Sequence, residues 1–183
     1  MKRLLVTIVL VLALTVMWAM PASAATTAAV TITATPTYIA MTISNSPNTW
    51  AIGVVVENTM YYWTADTLVP AEPLVDGDMK ETITNTGSVA EDFDVECADF
   101  TGGVGWTLSA DETPAANEVN LRAGITGMAN MAAMIQVVNA PAEFISNLAA
   151  AGTMKVCLIL ETGTFGDGVA KSGTLTFTAR AVT

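Results

Sequence analysis

The sequence predicts an all-β chain: an Ig-like antiparallel β-sandwich of about eight or nine strands, with one or two short crossing helices. Three observations predict it. Apolar and polar residues alternate with period two in segment after segment. The alternating segments are rich in Thr, Val and Ile, which suit a half-buried pleated surface. Gly and Pro punctuate the chain at short intervals and mark turns.

The first 24 residues stand apart. Lys2 and Arg3 form a positive start, Leu4 to Ala19 is apolar, and Pro21 leads into Ala22-Ser23-Ala24, a small-x-small cleavage site of the secretory type. The apolar length alone would also suit a retained membrane anchor. The cleavage site and the polar Ala25-Thr26-Thr27 favour a removed signal peptide, so the expected mature protein is secreted, extracellular or at the cell surface, without a membrane span. Residues 25–183 then form a single domain, with no linker and no internal repeat.

The strands follow in order. Val30, Ile32 and Ala34 alternate with Thr31, Thr33 and Thr35; Ile39, Met41 and Ile43 form a second series after Pro36; Trp50, Ile52, Val54 and Val56 form a third. Met79 to Asn85 and Val89 to Cys97 flank Thr86-Gly87-Ser88 and read as a hairpin. Trp106 to Ser109, Val119 to Ile125, Met154 to Glu161 and Leu175 to Ala181 supply the remaining strands. Met128 to Ala150 departs from the pattern. Met128, Met131, Ile135 and Val138 recur at helical spacing, Pro141 suits a helix start and Gly152 a stop, which predicts the crossing helices.

Charge and composition narrow the function classes. Of seven basic residues two leave with the signal peptide, so five remain against 17 acidic ones, a net charge of −12. That sign disfavours nucleic acid and anionic lipid as partners. His is absent, which removes the commonest general base and the commonest zinc ligand. The sequence therefore does not read as an enzyme, and paired carboxylates among 17 acids single out no glycosidase geometry.

Several candidate sites remain. In an exported chain Cys97 and Cys157 are by default a disulfide. Yet the alternation puts Cys97 with Phe93 and Val95, and Cys157 with Lys155, Ile159 and Glu161, so two separate buried thiols are the alternative. Met128, Met131 and Met134 carry soft thioethers suited to Cu(I), but the same spacing serves core packing. The acidic run Glu91, Asp92, Asp94, Glu96 and Asp99, with Asp76 and Asp78, offers oxygen to calcium, though a solvated strand face explains the run equally simply. No other cofactor is expected. Tyr61, Tyr62 and Trp63 form an aromatic run that could stack on a polysaccharide; a strand buried on both sides or a subunit contact is the competing reading. Trp50 and Trp106 lie within apolar alternation and are expected in the core.

One absence stands out. Ala25 to Val56 carries no charged residue, although charge and Pro are what normally protect a strand edge. The segment either forms ordinary early strands of its own sandwich, or its first strand, with Val30 and Ile32, pairs with the open edge of another copy. A head-to-tail contact of that kind propagates into a filament.

The stretch from Glu81 to Val95, with Asn85-Thr86-Gly87-Ser88 at its centre, resembles a hairpin common in secreted Ig-like domains of microbial surface proteins. Together with the signal peptide and single sandwich, the chain resembles the camelysin/TasA type of extracellular filament subunit. The resemblance implies a non-catalytic homopolymer assembled by an N-terminal strand. A polysaccharide- or surface-binding module, with calcium support, is the alternative.

Overall fold

The computed structural model describes residues 38–44, 49–66 and 68–182. The signal segment and the strand carrying Val30 and Ile32 lie outside the described residues. The fold class is as predicted: a two-sheet, mostly antiparallel β-sandwich. Its sheets are unequal, seven strands against three.

The larger sheet is built around β9 (Thr153–Thr162), whose one edge pairs with β2 (Met60–Trp63) and β3 (Glu81–Asn85) and whose other edge pairs with β6 (Glu118–Ile125). Outside these lie β1 (Met41–Ile43) on β3, and β5 (Thr107–Leu108) and β7 (Ile135–Val137) on β6. Only the β5–β6 pair is parallel. The smaller sheet has the order β10 (Leu175–Ala181), β4 (Glu91–Cys97), β8 (Ala142–Leu148).

Because successive side chains of a strand point to opposite faces, β9 feeds two apolar clusters. Val156, Leu158 and Leu160 join Phe93, Val95 and Phe144 in the core between the sheets. Cys157 and Ile159 pack with Leu74, Met79 and Met134 on the outer face of the larger sheet. A strand buried on both faces reads as a near-continuous apolar run, which Val156 to Leu160 is.

Four expectations are corrected. The Met79–Asn85 and Val89–Cys97 strands do not form a hairpin; β3 belongs to the larger sheet and β4 to the smaller. Buried Asn85 makes this corner feasible by satisfying the backbone groups that the change of sheet frees. Its Nδ2 donates to the carbonyls of Val89 and Leu148, both at 2.8 Å, and its Oδ1 accepts from the Gly87 amide. Gly87 itself sits where a Cβ would collide with the Glu91 carboxylate and the Tyr38 carbonyl.

The crossing helices are absent from the described residues. Met131–Ala133 makes a single 3-10 turn, capped by Asn130, whose Oδ1 accepts from Ala133 N at 3.0 Å. Ala142 to Leu148 is a strand whose register against β4 shifts twice, between Glu91 and Phe93 and between Phe93 and Asp94. Those bulges let adjacent Phe144 and Ile145 both be buried, which breaks the period-two signature and imitates helical spacing.

The alternating series from Trp50 to Val56 joins neither sheet. Gly53 has φ +81°, outside any extended strand, and Asn58 at φ +51° turns the chain before β2.

Cys97 and Cys157 are free, buried thiols rather than a disulfide. Cys97 lies in the core between the sheets and Cys157 on the outer face of the larger one, so a sheet separates them. Burial, with Asp99 adding to it, pushes the Cys97 thiol up to about 11. Burial and then Asp78 do the same for Cys157, to about 11, against an opposing backbone hydrogen bond at Gly124.

Candidate functional site

Three strands face seven, and the groove this leaves beside the smaller sheet is the most distinctive feature among the described residues. A groove of about 1020 Å³ runs over Val156, Leu158 and Leu160 of β9, beside Leu175 and Phe177 of β10. β4 contributes no side chain to it. The groove therefore lies along the side of β10 that faces away from β4, and among the described residues β10 has no partner strand on that side.

Its two remaining walls are held very differently. The stretch from Phe165 to Gly173 is pinned. Asp167 accepts hydrogen bonds from the amides of Val104 at 2.5 Å and Val169 at 3.0 Å, and pairs with the nearly buried Lys171 ammonium. The Lys171 ammonium stands 5.9 Å from the centre of the Trp106 ring, which stacks on Phe165 at 4.8 Å. Gly103 is required here, because at φ +55° a Cβ would come within 2.2 Å of the Asp167 carboxylate. The Lys171 hydrogen bond first, then those from Val104 and Val169, pull the Asp167 carboxyl down to about 2.

The opposite wall is the strap of residues 49–55. Trp50, Ile52 and Val55 pack against the core, and Trp50 stacks on Trp63 of β2 with ring centres 6.2 Å apart and planes 19° from parallel. No hydrogen bond joins residues 49–55 to any other described residue. Val54, 94% exposed, and exposed Val169 both line the groove.

The residues singled out from sequence are distributed as follows. Tyr61 and Trp63 turn toward the core between the sheets, whereas Tyr62 joins the outer-face cluster. The three rings are half-buried and share no single platform; the Tyr61 hydroxyl accepts from the Val56 amide at 2.5 Å. Trp106 is core as expected, and Trp50 packs against that core. Met134 is buried under the outer face, with Met128 and Met131 packed against it.

Three of the acids of β4, Glu91, Asp92 and Asp94, are engaged with protein groups rather than simply solvated. Arg180 of β10 pairs with Asp92 at 2.8 Å, with Asp94 at 3.0 Å and with Glu143. The Asp94 contact leads in raising the guanidinium pKa. Glu91 is fully buried; its Oε1 accepts from the Ala40 amide at 3.0 Å and its Oε2 has no partner among the described residues. Asp76 pairs with Lys155 at 3.2 Å and accepts from Thr126, while Asp78 accepts from the amides of Ala71 and Val75. Among the described residues no group of three or more acidic or Cys side chains is gathered as a metal site. No described helix is long and apolar enough to cross a membrane.

Sequence reasoning did not find the groove. Its one advance signal was that Trp50 to Val56 alternates yet is followed by Glu57-Asn58, a turn pair. Such an arrangement offers apolar surface and an unpaired strand edge, the two things that hold an extended peptide. No protein-family model, curated protein or solved structure matches the chain.

Proposed function

We propose that the protein is a non-catalytic extracellular structural subunit that polymerises into a filament or surface layer by strand addition. The signal-peptide character of residues 1–24 supports export. The uncharged segment that follows is the strand donor, with Val30 and Ile32 as its anchors, and β10 with its groove is the acceptor. The observation that carries this reading is the side of β10 that has no partner strand among the described residues, beside an apolar groove in a sandwich of seven strands against three.

Donor and acceptor match in length and chemistry. The alternation from Ala28 to Ala34 spans seven residues, as β10 does. One side of the donor presents Val30, Ile32 and Ala34 to an apolar floor, and the other presents Thr to water. Each Val or Ile fully buried contributes roughly 1.5–3 kcal/mol, and the new backbone ladder supplies direction and register. The lack of charge from Ala25 to Val56 is consistent with a segment that must enter an apolar site, since any charge there would carry a desolvation cost.

Negative-stain microscopy and sedimentation of the mature protein test the proposal, alongside a variant lacking residues 25–35. Fibres or sheets are expected from the full mature chain, and monomers with unchanged β-sheet circular dichroism from the deletion variant. A mature chain that stays monomeric at high concentration would overturn the reading.

A further inference from the structure

The strap of residues 49–55 is an alternating apolar segment with no strand partner among the described residues. It lies against the groove that the proposed donor must enter. Its backbone makes no hydrogen bond to other described residues, and among those residues it is held by the apolar contacts of Trp50, Ile52 and Val55. Gly53, at φ +81°, has open space where a Cβ would lie, and glycine is the residue that passes most readily between positive and negative φ. The opposite wall has its Asp167 pin, its buried Lys171 and its stacked rings. A donor strand entering this groove meets one wall that can yield and one that cannot.

We propose that the strap is a displaceable cover of the acceptor groove, closed in the free subunit by the Trp50–Trp63 stack and moved aside by the leading segment of a second copy. This rests on the strand-addition reading above. The occupant is residues 28–34 of that second copy, for three reasons: the matching seven-residue lengths, the uncharged alternation, and an apolar floor. While the cover is closed, Trp50 and Ile52 shield the groove's apolar floor from water. Subunits therefore do not present a bare apolar groove before they meet a donor, which is how an exposed edge is normally kept from indiscriminate pairing. Opening exchanges the Trp50–Trp63 contact for donor contacts, so weakening that contact speeds assembly.

Two readouts on the full mature chain test this. The first is the exciton couplet of the stacked indoles in the far-ultraviolet circular dichroism, followed while polymer forms. The second is the assembly half-time of Trp50→Ala, which loses the stack. The couplet is expected to vanish in step with polymer growth, and Trp50→Ala is expected to assemble about tenfold faster, as loss of one aromatic pair on the closed side implies. Ile52→Thr, a milder change at the same cover, serves if Trp50→Ala misfolds, and is expected to accelerate assembly in the same sense. Hydrogen exchange at β10 separates the two levels of the argument. Polymer with newly protected β10 amides but an unchanged couplet, or unaccelerated variants, overturns the cover and leaves strand addition standing. Absence of polymer, or polymer without added protection at β10, overturns strand addition and the cover with it.

Discussion

β9 and the strap of residues 49–55 begin from similar sequence and end in opposite states. Both are apolar, rich in β-branched residues and bounded by turn signals. β9 is paired along both edges and buried on both faces. Among the described residues the strap is paired along neither edge, and it carries the most exposed large apolar side chain described, Val54. The difference teaches that an apolar pattern specifies which side chains leave water, but not where the backbone finds its partners. β9 has β2, β3 and β6 to supply ladders, whereas a left-handed Gly53 and the turn at Asn58 keep the strap from extending along an edge.

Substitution should separate the two most strongly. Leu160→Ala removes a side chain that is 2% exposed in the central strand, and is expected to destabilise by about 2–5 kcal/mol in a urea titration. Val54→Thr should stay within about 0.5 kcal/mol of the parent. Equal effects would mean that the strap is as much a part of the core as β9. Hydrogen exchange should agree: β9 amides exchanging only through global unfolding, and strap amides at rates near those of an unstructured chain.

The groove's two walls give a subtler version of the same contrast. Gly103→Ala sets a Cβ against the Asp167 carboxylate at a left-handed backbone position, and is expected to cost about 1–3 kcal/mol. Gly53→Ala has the same backbone penalty but meets open space, so it should cost less. Acid should act on the pinned wall alone. The Asp167 carboxyl is held at about 2, below its unfolded value, so the stabilisation it gives is complete above the ordinary carboxylate range. It drains away as pH falls toward 2. Asp167→Asn should flatten that part of the acid-stability curve, and an unchanged curve would show that the pin does not hold the wall.

Much of the fold was legible in advance because period-two alternation is a local signal. Parity alone set Cys157 on the face opposite Leu158 and Leu160, where it lies, and so argued against the disulfide that the compartment suggested. What was not legible is non-local. Thr86-Gly87-Ser88 looks like a hairpin turn from its own residues. Whether β3 and β4 stay in one sheet depends on Asn85 reaching Leu148, 63 residues away. Ala142 to Leu148 imitates a helix because it carries extra residues relative to β4, and a bulge shows only when the two strands are paired. The groove was hidden for the same reason, since it is a consequence of unequal sheets. Tyr61-Tyr62-Trp63 suits either an exposed platform or a strand buried on both sides when read by itself; strand geometry divides the three rings between two faces.

Thiol chemistry offers the smallest perturbation and the sharpest form of the comparison. Cys157 sits in β9 beneath the outer-face cluster, with a thiol pushed up to about 11, so in the native protein at pH 8 it is both shielded and protonated. Cys97 is in the same condition in the core. Both should resist an aromatic disulfide reagent in the folded chain, and two equivalents should react in denaturant. Because no disulfide joins them, a reductant should leave the melting temperature unmoved. A third thiol introduced as Val54→Cys should react at the rate of a free cysteine under the same conditions. The ratio of the two rates then measures how much more often the strap is open than β9. If Val54→Cys were shielded in the monomer and freely reactive only in polymer, the strap would be a closed lid along its whole length. Reactivity in both states, with the Trp50–Trp63 couplet alone responding to assembly, would confine the closing contact to the indole pair at the strap's start.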